Sequence, residues 1–158
     1  MTKAKPEHYV NNKEFTAAIA THNQAVKDAV AKGKEPPRVT EYIGECIYKI
    51  ATRLSTKPNF INYSYRDEMI CDGIENCLQY INNFNPEKSQ NAFAYITQII
   101  YYAFLRRIQK EKKQLEIKTK IIERSGYEEV MVVEEGAGGT SSDYNQIKDA
   151  VQTRMNYQ

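Results

Sequence analysis

Apolar residues recur at intervals of three and four positions through much of the chain, which is the period of an α-helix with one buried face. The first helix that this pattern predicts covers residues 12–32. Asn11 and Glu14 have the spacing of a capping box at its start, and Gly33 is typical of the residue that follows the end of a helix.

Two further helices follow the break "GKEPPR". Thr40 is suited to cap the second helix, and the proline of "STKPNF" stops it. The predicted buried positions of this helix are Ile43, Ile47, Ala51 and Leu54. The third helix begins near Asp67, and its predicted buried positions are Ile70, Ile74, Cys77, Ile81 and Phe84. Its opposite face is polar and acidic, with Glu68, Asp72, Glu75 and Gln79.

A fourth helix is predicted after the turn "FNPEKSQN", extending to about Ile122. It carries apolar or aromatic side chains on two faces rather than one. The first face has the spacing of a core stripe, with Ile96, Ile99, Ile100 and Ala103. The second face holds Gln98, Tyr101, Tyr102, Leu105 and Ile108. This second face is therefore either buried in the domain or exposed to a partner.

The sequence pattern changes after Gly126. The stretch "YEEVMVVEE" is β-prone or irregular, and "GAGGTSSD" has the composition of a flexible linker. Residues 143–155 return to helical spacing, which fits either a docking helix or a helix packed against the domain. We therefore expect an all-α fold, with a compact helical bundle over residues 1–125 and a flexible acidic tail over residues 126–158.

The net charge of +2 hides a separation of charge along the chain. Residues 105–124 have a net charge of +5, whereas residues 59–104 have −3 and residues 125–158 have −4. A basic segment between two acidic ones suggests a site for a polyanion, flanked by surfaces that favour a basic partner. The alternative is a helix whose charges are simply solvated.

Cysteine usage and hydropathy point to the cytoplasm. Cys46, Cys71 and Cys77 are odd in number, lack metal-ligand spacing and lie in helical patterns, so we expect reduced thiols in the core. The longest apolar run, around "IIYYAFL", is much shorter than a membrane span. We expect no membrane association.

The search for catalytic residues gives a negative expectation. His8 and His22 have no partner constellation for metal binding or for a nucleophilic triad. The stretch "GAGG" lacks the strand, helix and lysine of a phosphate-binding loop. We expect no enzyme activity, no cofactor and no metal site.

The second face of the fourth helix has the composition of a surface for an unpaired or distorted DNA strand. Bases stack on aromatic rings, for about 1–3 kcal/mol per base, and cations neutralise the phosphates. The helix offers both groups in order, with Tyr95, Gln98, Tyr101 and Tyr102 ahead of Arg106, Arg107 and Lys110. The alternative is that one or two tyrosines pack against the first two helices with their hydroxyls at the surface.

The stretch "DEMICDGIENCLQYINNFNPEKSQNAFAYITQIIYYAFLRRIQKE" resembles the second conserved region of bacterial sigma factors, with an acidic helix, an F-[DN]-P-E-[KR] turn and an aromatic helix ending in basic residues. More narrowly, "YVNNKEF", "DEMICDGIENC", "NAFAYITQ" and "RRIQKEKK" resemble the late-transcription sigma factors of T-even-type bacteriophages. The similarity extends from about Tyr9 to about Lys113.

This resemblance implies a helical domain that binds the host RNA polymerase core in the bacterial cytoplasm and opens an AT-rich late promoter element. The acidic helix would meet the clamp helices of the largest polymerase subunit through Glu68, Asp72, Asn76 and Gln79. The next helix would face promoter DNA through Tyr95, Thr97, Gln98, Tyr101, Tyr102, Leu105 and Arg106. Phosphates would be met by Lys88, Arg107, Lys110, Lys112 and Lys113.

The chain also departs from the sigma pattern. It has no tryptophan, and Gln98 and Ile99 stand where primary sigma factors carry a tryptophan pair. Nothing after Gly126 resembles a helix-turn-helix. Late phage sigma factors are similarly reduced and work with a co-activator and the DNA sliding clamp, but the ending "VQTRMNYQ" lacks their acidic-aromatic clamp motif.

Two other functions fit parts of the pattern. A helical DNA-binding regulator of another kind would show two short helices joined by a tight turn, with a dimer interface. A polymerase-binding or other protein adaptor would use the tyrosine face for apolar contact with a partner helix. Salt dependence separates these, because only DNA binding weakens steeply through counterion release.

Overall fold

The computed structural model describes residues 8–125, and this part of the chain contains α-helices and no strand. The elements are α1 Asn12–Ala31, α2 Glu41–Ser55, α3 Arg66–Tyr80, a short 3₁₀ helix Ile81–Asn83, and α4 Ala92–Arg124. The predicted all-α class is confirmed. The expected tail over residues 126–158, with its possible docking helix, lies outside the described residues. No helix within residues 8–125 has the length and apolarity needed to cross a bilayer.

The predicted helix ends follow from local capping. The side chain of Asn11 accepts hydrogen bonds from the backbone N–H groups of Lys13 at 3.1 Å and Glu14 at 3.4 Å. Gly33 follows α1 with a φ of +66°, a left-handed conformation that glycine adopts without steric cost. Thr40 is the N-cap of α2, but its side chain makes no capping hydrogen bond.

Internal contacts divide the chain into two units, residues 1–107 and residues 108–158, so the boundary falls within α4. In the first unit the core is made by apolar side chains from all four helices. Among its largest fully buried members are Phe15, Ile19, Ile43, Ile47, Ile50, Met69, Ile96, Ile100 and Phe104. In the second unit Ile108 is buried, so it does not belong to an exposed face of α4.

Helix α3 is rotated relative to the predicted stripe. Met69, Gly73 and Cys77 are its buried residues, whereas Ile70 and Ile74 are only half-buried. A Cβ atom at position 73 would approach Ile100 Cγ2 to 3.1 Å and Phe104 Cε1 to 3.3 Å. Glycine therefore allows α4 to lie closely against this face, which apolar spacing alone did not identify.

The start of α4 is fixed by side chains from α1. Thr16 Oγ1 accepts from the Ala92 N–H at 3.2 Å, and Asn12 Oδ1 accepts from the Phe93 N–H at 3.0 Å. Asn91 Oδ1 accepts from the next N–H, that of Ala94, at 3.0 Å. Three N–H groups that lack partners within a helix are thereby satisfied. Helix α1 thus sets where α4 begins.

A buried polar residue ties α1 to the 3₁₀ helix that follows α3. The Nδ2 group of Asn23 donates to the carbonyl oxygens of Ile81 at 3.0 Å and Phe84 at 3.2 Å. These contacts hold the 3₁₀ helix against α1, and Asn23 itself is buried. The sequence does not reveal this role of Asn23, because a polar residue on a helix is usually expected at the surface.

The expectation of three core thiols is wrong for one of them. Cys46 and Cys77 are buried, but Cys71 is exposed on α3. Burial raises the pKa of the Cys77 thiol to about 12. Burial is also the main cause of the raised pKa of Cys46. The two buried thiols are therefore protonated and unreactive at neutral pH.

Candidate functional site

Two adjacent tyrosines of α4 lie at the surface of the first unit. The exposed fractions are 38% for Tyr101 and 50% for Tyr102. Their rings meet edge to face with centroids 5.8 Å apart. Tyr101 also contacts the buried ring of Phe60, edge to face at 5.7 Å. The core thus positions one tyrosine, and that tyrosine lies against its more exposed neighbour.

Tyr95 lies six residues before Tyr101 on the same helix and is packed within the domain. It is half-buried, and its hydroxyl donates to the Tyr80 carbonyl oxygen at 2.8 Å. Its ring packs on Phe84 at 5.2 Å, and burial is the main cause of its raised pKa. The structure therefore gives Tyr95 a packing role, which separates it from the exposed tyrosine pair.

The other residues expected to face DNA in the first unit differ in accessibility. Gln98 and Arg106 are exposed, and with Tyr102 they follow the four-residue spacing of one helix face. Leu105 and Thr97 are half-buried, and the Thr97 hydroxyl donates to the Phe93 carbonyl oxygen at 2.7 Å. The accessible group on α4 is therefore two tyrosines, a glutamine and one arginine.

Lys88 lies in the turn before α4 and is exposed. Its turn is ordered by Asn85, whose side chain accepts from the Glu87 N–H at 2.9 Å and whose carbonyl accepts from the Lys88 N–H at 3.2 Å. An Asx turn of this kind fixes the backbone beside the lysine.

Arg107 and Asp72 form a two-point ion pair between α4 and α3. Arg107 Nε donates to one carboxylate oxygen at 2.5 Å and Nη2 donates to the other at 2.8 Å. The two side chains are 18% and 27% exposed. The resemblance to sigma factors implied that Arg107 meets DNA phosphate and that Asp72 meets the polymerase. The structure instead brings these two side chains together, so neither is a freely solvated surface charge.

The remaining polar face of α3 is available at the surface. Glu68, Glu75 and Gln79 are exposed. Asn76 is half-buried, and its Nδ2 group donates to the Asp72 carbonyl oxygen at 2.9 Å within the helix. Of the four residues predicted to face outward on α3, Glu68, Glu75 and Gln79 are exposed as expected. Asp72 is the exception.

An apolar groove that sequence reasoning missed lies beside this face, between α1, α2 and α3. Its volume is about 740 Å³. Tyr48 and Leu78 line the groove, and 57% and 44% of their surfaces are exposed. Ile74 and Val39 also line it. His22 also lines the groove, and burial lowers its pKa. The sequence does contain one indication of this groove, because the apolar side chains of Tyr48 and Leu78 fall outside the predicted buried stripes of α2 and α3.

In the second unit, the predicted phosphate contacts are only partly exposed. Lys110 and Lys113 are exposed, whereas Lys112 is half-buried. Three isoleucines farther along the same helix, Ile117, Ile121 and Ile122, are also exposed.

Among residues 8–125 there is no cluster of three or more histidine, cysteine, aspartate or glutamate side chains that could hold a metal ion. His8 instead contacts the Val10 carbonyl oxygen through Nδ1 at 2.8 Å, with its ring stacked on Tyr9.

Comparison with known proteins finds no matching family model and no curated protein with a significant match.

Proposed function

We propose that the chain is a late-transcription sigma factor of the T-even bacteriophage type, which binds a host RNA polymerase core and opens an AT-rich promoter element. The observation that carries the proposal is the exposed Tyr101–Tyr102 pair on α4. Tyr101 is partly accounted for by its packing on Phe60, but core packing gives no reason for the half-exposed ring of Tyr102 beside it.

The tyrosine pair has the chemistry that a melted DNA strand requires. Exposed rings give unstacked bases a surface on which to stack, at about 1–3 kcal/mol per base. Gln98 adds both a donor and an acceptor for base edges, and Arg106 adds a cation for phosphate. The ring of Tyr101 is supported by Phe60, so this platform is ordered before DNA binds.

The polymerase contact belongs to α3 and the groove beside it. Glu68, Glu75 and Gln79 form a polar, acidic strip, and Leu78 exposes apolar surface next to it. A basic helix with an apolar stripe is complementary to this combination, since the charges set orientation and the apolar area stabilises the complex. The clamp helices of the largest polymerase subunit are the partner that the sigma resemblance implies.

The ion pair joins the two proposed surfaces. Arg107 lies on the DNA-facing helix and Asp72 on the polymerase-facing helix. The pair therefore fixes how the tyrosine platform is oriented relative to the polymerase contact, and phosphate binding in the first unit is left to Arg106 and Lys88.

Co-elution with purified polymerase core tests the partner assignment. Glu68→Lys with Glu75→Lys should abolish co-elution, because both charges reverse on the contacting strip. Asp28→Lys with Glu35→Lys makes the same change in net charge at two exposed positions outside α3, one on α1 and one in the loop after it, and this variant should still bind. Equal binding by both double variants would remove α3 from the interface.

The alternative functions give different results in the same preparation. A DNA-binding regulator would bind duplex DNA without polymerase, with steep weakening as salt is added. A protein adaptor would bind the core but leave promoter DNA closed. The sigma proposal requires that DNA opening occur only when core and chain are both present.

A further inference from the structure

The groove between α1, α2 and α3 lies entirely within the first unit. Val26 of α1, Tyr48 of α2 and Leu78 of α3 each supply part of its wall. Its volume of about 740 Å³ is that of a binding site rather than of a packing defect. Since Tyr48 and Leu78 are exposed, the groove presents apolar surface that an occupant would remove from water.

A buried histidine also lines this groove. Only 6% of the surface of His22 is exposed. Within residues 8–125 no hydrogen bond, ion pair or ring contact joins its imidazole to another residue, and burial alone lowers its pKa. A neutral imidazole has one N–H donor and one acceptor, and both are unfavourable in an apolar site when they lack partners. The groove therefore presents a hydrogen-bonding group between its apolar walls.

The rim of the groove is mostly acidic. Glu41 and Glu45 are exposed one turn apart on α2, and both line the groove. On α3, the exposed Glu75 follows Ile74, which lines the groove as well. Arg38, in the loop before α2, is the cation that lines it within the described part of the chain. Charge complementarity therefore favours an occupant that is basic on both sides of an apolar stripe.

We propose that the groove binds an amphipathic helix with basic flanks, whose apolar stripe carries one amide or hydroxyl side chain opposite His22. Helices bind grooves of this kind through apolar residues spaced three and four positions apart. Those residues enter between Tyr48 and Leu78, while the flanking cations reach Glu41 and Glu45. A wholly apolar stripe would remove water from His22 without replacing the hydrogen bond, so it binds less tightly. His22 thus selects among basic helices.

This groove is part of the surface proposed above for the polymerase contact. The identity of the occupant as a polymerase helix rests on that proposed function, whereas the chemistry of the occupant rests on the groove. The two can fail separately, because a designed peptide tests the groove in the absence of polymerase.

The probes are labelled peptides of about 18 residues, long enough to form a helix. The first has lysines flanking a leucine stripe, the second has asparagine in place of the central leucine, and the third has asparagine and glutamates in place of the lysines. Fluorescence anisotropy with the full-length protein gives their affinities. The second peptide should bind about tenfold more tightly than the first, as expected when a buried polar group gains its partner. The third should bind about tenfold or more weakly than the second.

His22→Leu separates selection from a structural role. This variant should reverse the preference, so that the leucine peptide binds more tightly than the asparagine peptide, because the asparagine now lacks a partner. A histidine that only supported the fold would change both affinities by the same factor.

The apolar walls are tested by Tyr48→Ser with Leu78→Ser, which should lower the affinity for the asparagine peptide about tenfold or more. The matched control is Tyr80→Ser with Ile61→Ser. These two residues are 47% and 45% exposed and lie outside the groove, so the affinity should be unchanged.

The native protein provides a test that needs no substitution at position 22. The chain has two histidines, and His8 does not line the groove. Adding the asparagine peptide should shift the imidazole NMR signals of His22 and leave those of His8 in place. The proposal is overturned by equal affinities of the first two peptides, by an unmoved His22 signal at saturating peptide, or by the absence of binding. A His22 signal that shifts with protein concentration alone would also overturn it, since the occupant would then be a second copy of the chain.

Discussion

Arg107 on α4 and Asp72 on α3 are joined by two hydrogen bonds, from Nε at 2.5 Å and from Nη2 at 2.8 Å. A two-point geometry of this kind fixes both position and orientation, which a lysine in place of Arg107 would not do. Since both residues are half-buried, the pair is screened less by solvent than an exposed ion pair.

A double-mutant cycle on this pair should give a coupling free energy of about 1–2 kcal/mol, between the values typical of exposed and of buried pairs. The variants are Asp72→Ala, Arg107→Ala and both together, with stability measured by urea unfolding. The exposed Glu116–Lys120 pair is the control and should show no measurable coupling. Coupling near zero at Asp72 and Arg107 would mean that the ion pair does not stabilise the helix contact.

The contacts from α1 to the start of α4 should also be measurable. Asn12→Ala and Thr16→Ala should each lower the free energy of unfolding by about 1 kcal/mol, as expected for lost capping hydrogen bonds. Thr21→Ala is a matched control on α1, because the Thr21 hydroxyl donates only to the Ala17 carbonyl oxygen within its own helix. An equal effect at all three positions would contradict a special role in capping α4.

Thiol reactivity tests the corrected placement of the cysteines. The native protein should react rapidly at one thiol, Cys71, while Cys46 and Cys77 react only after unfolding. The raised pKa of Cys77, about 12, reinforces its protection at neutral pH. Mass spectrometry after a brief exposure to iodoacetamide identifies the modified residue. Rapid labelling of Cys77 would contradict the described packing of α3.

Sequence periodicity was sufficient for the helices but not for how they pack. Caps such as Asn11 and Gly33 act locally, so their positions could be predicted from neighbouring residues. The buried face of α3 depends instead on Gly73, whose role appears only when α4 lies against it. Asn23 and the Arg107–Asp72 pair are likewise contacts between distant positions. One sequence pattern cannot distinguish an exposed charge from one with a partner on another helix.

The candidate site shows the same limit. Tyr95, Tyr101 and Tyr102 were equivalent by composition, yet only the last two are well exposed. The Tyr95 hydroxyl donates a hydrogen bond to the carbonyl oxygen of Tyr80, which belongs to another helix. The sequence allowed the second face of α4 to be either buried or exposed, and the structure divides it: Gln98, Tyr101 and Tyr102 are exposed, Leu105 is half-buried and Ile108 is buried.

Tyr102→Ala separates a role in DNA opening from a role in folding. Its ring is 50% exposed, so we expect a change in stability of no more than about 0.5 kcal/mol. Tyr101→Ala also loses the contact with Phe60 and should cost about 1 kcal/mol. If the pair stacks on bases, Tyr102→Ala should lower promoter opening about tenfold, measured by permanganate reactivity of unpaired thymines.

The matched control for that experiment is Tyr80→Ala, since Tyr80 is 47% exposed and belongs to neither predicted surface. Its main-chain carbonyl still accepts the Tyr95 hydroxyl after substitution. Opening should be unchanged in this variant. Equal loss in both variants would show that the defect does not come from the tyrosine pair.

The central claim is that this chain directs polymerase to a promoter, and reconstituted transcription measures it most directly. Purified host polymerase core, the full-length protein and a linear template with an AT-rich late promoter are combined, and the RNA products are sized. We predict a transcript of one defined length that requires the protein and is lost with Glu68→Lys and Glu75→Lys. The contradicting result is a product pattern identical to that of core alone, obtained while the protein co-elutes with the core.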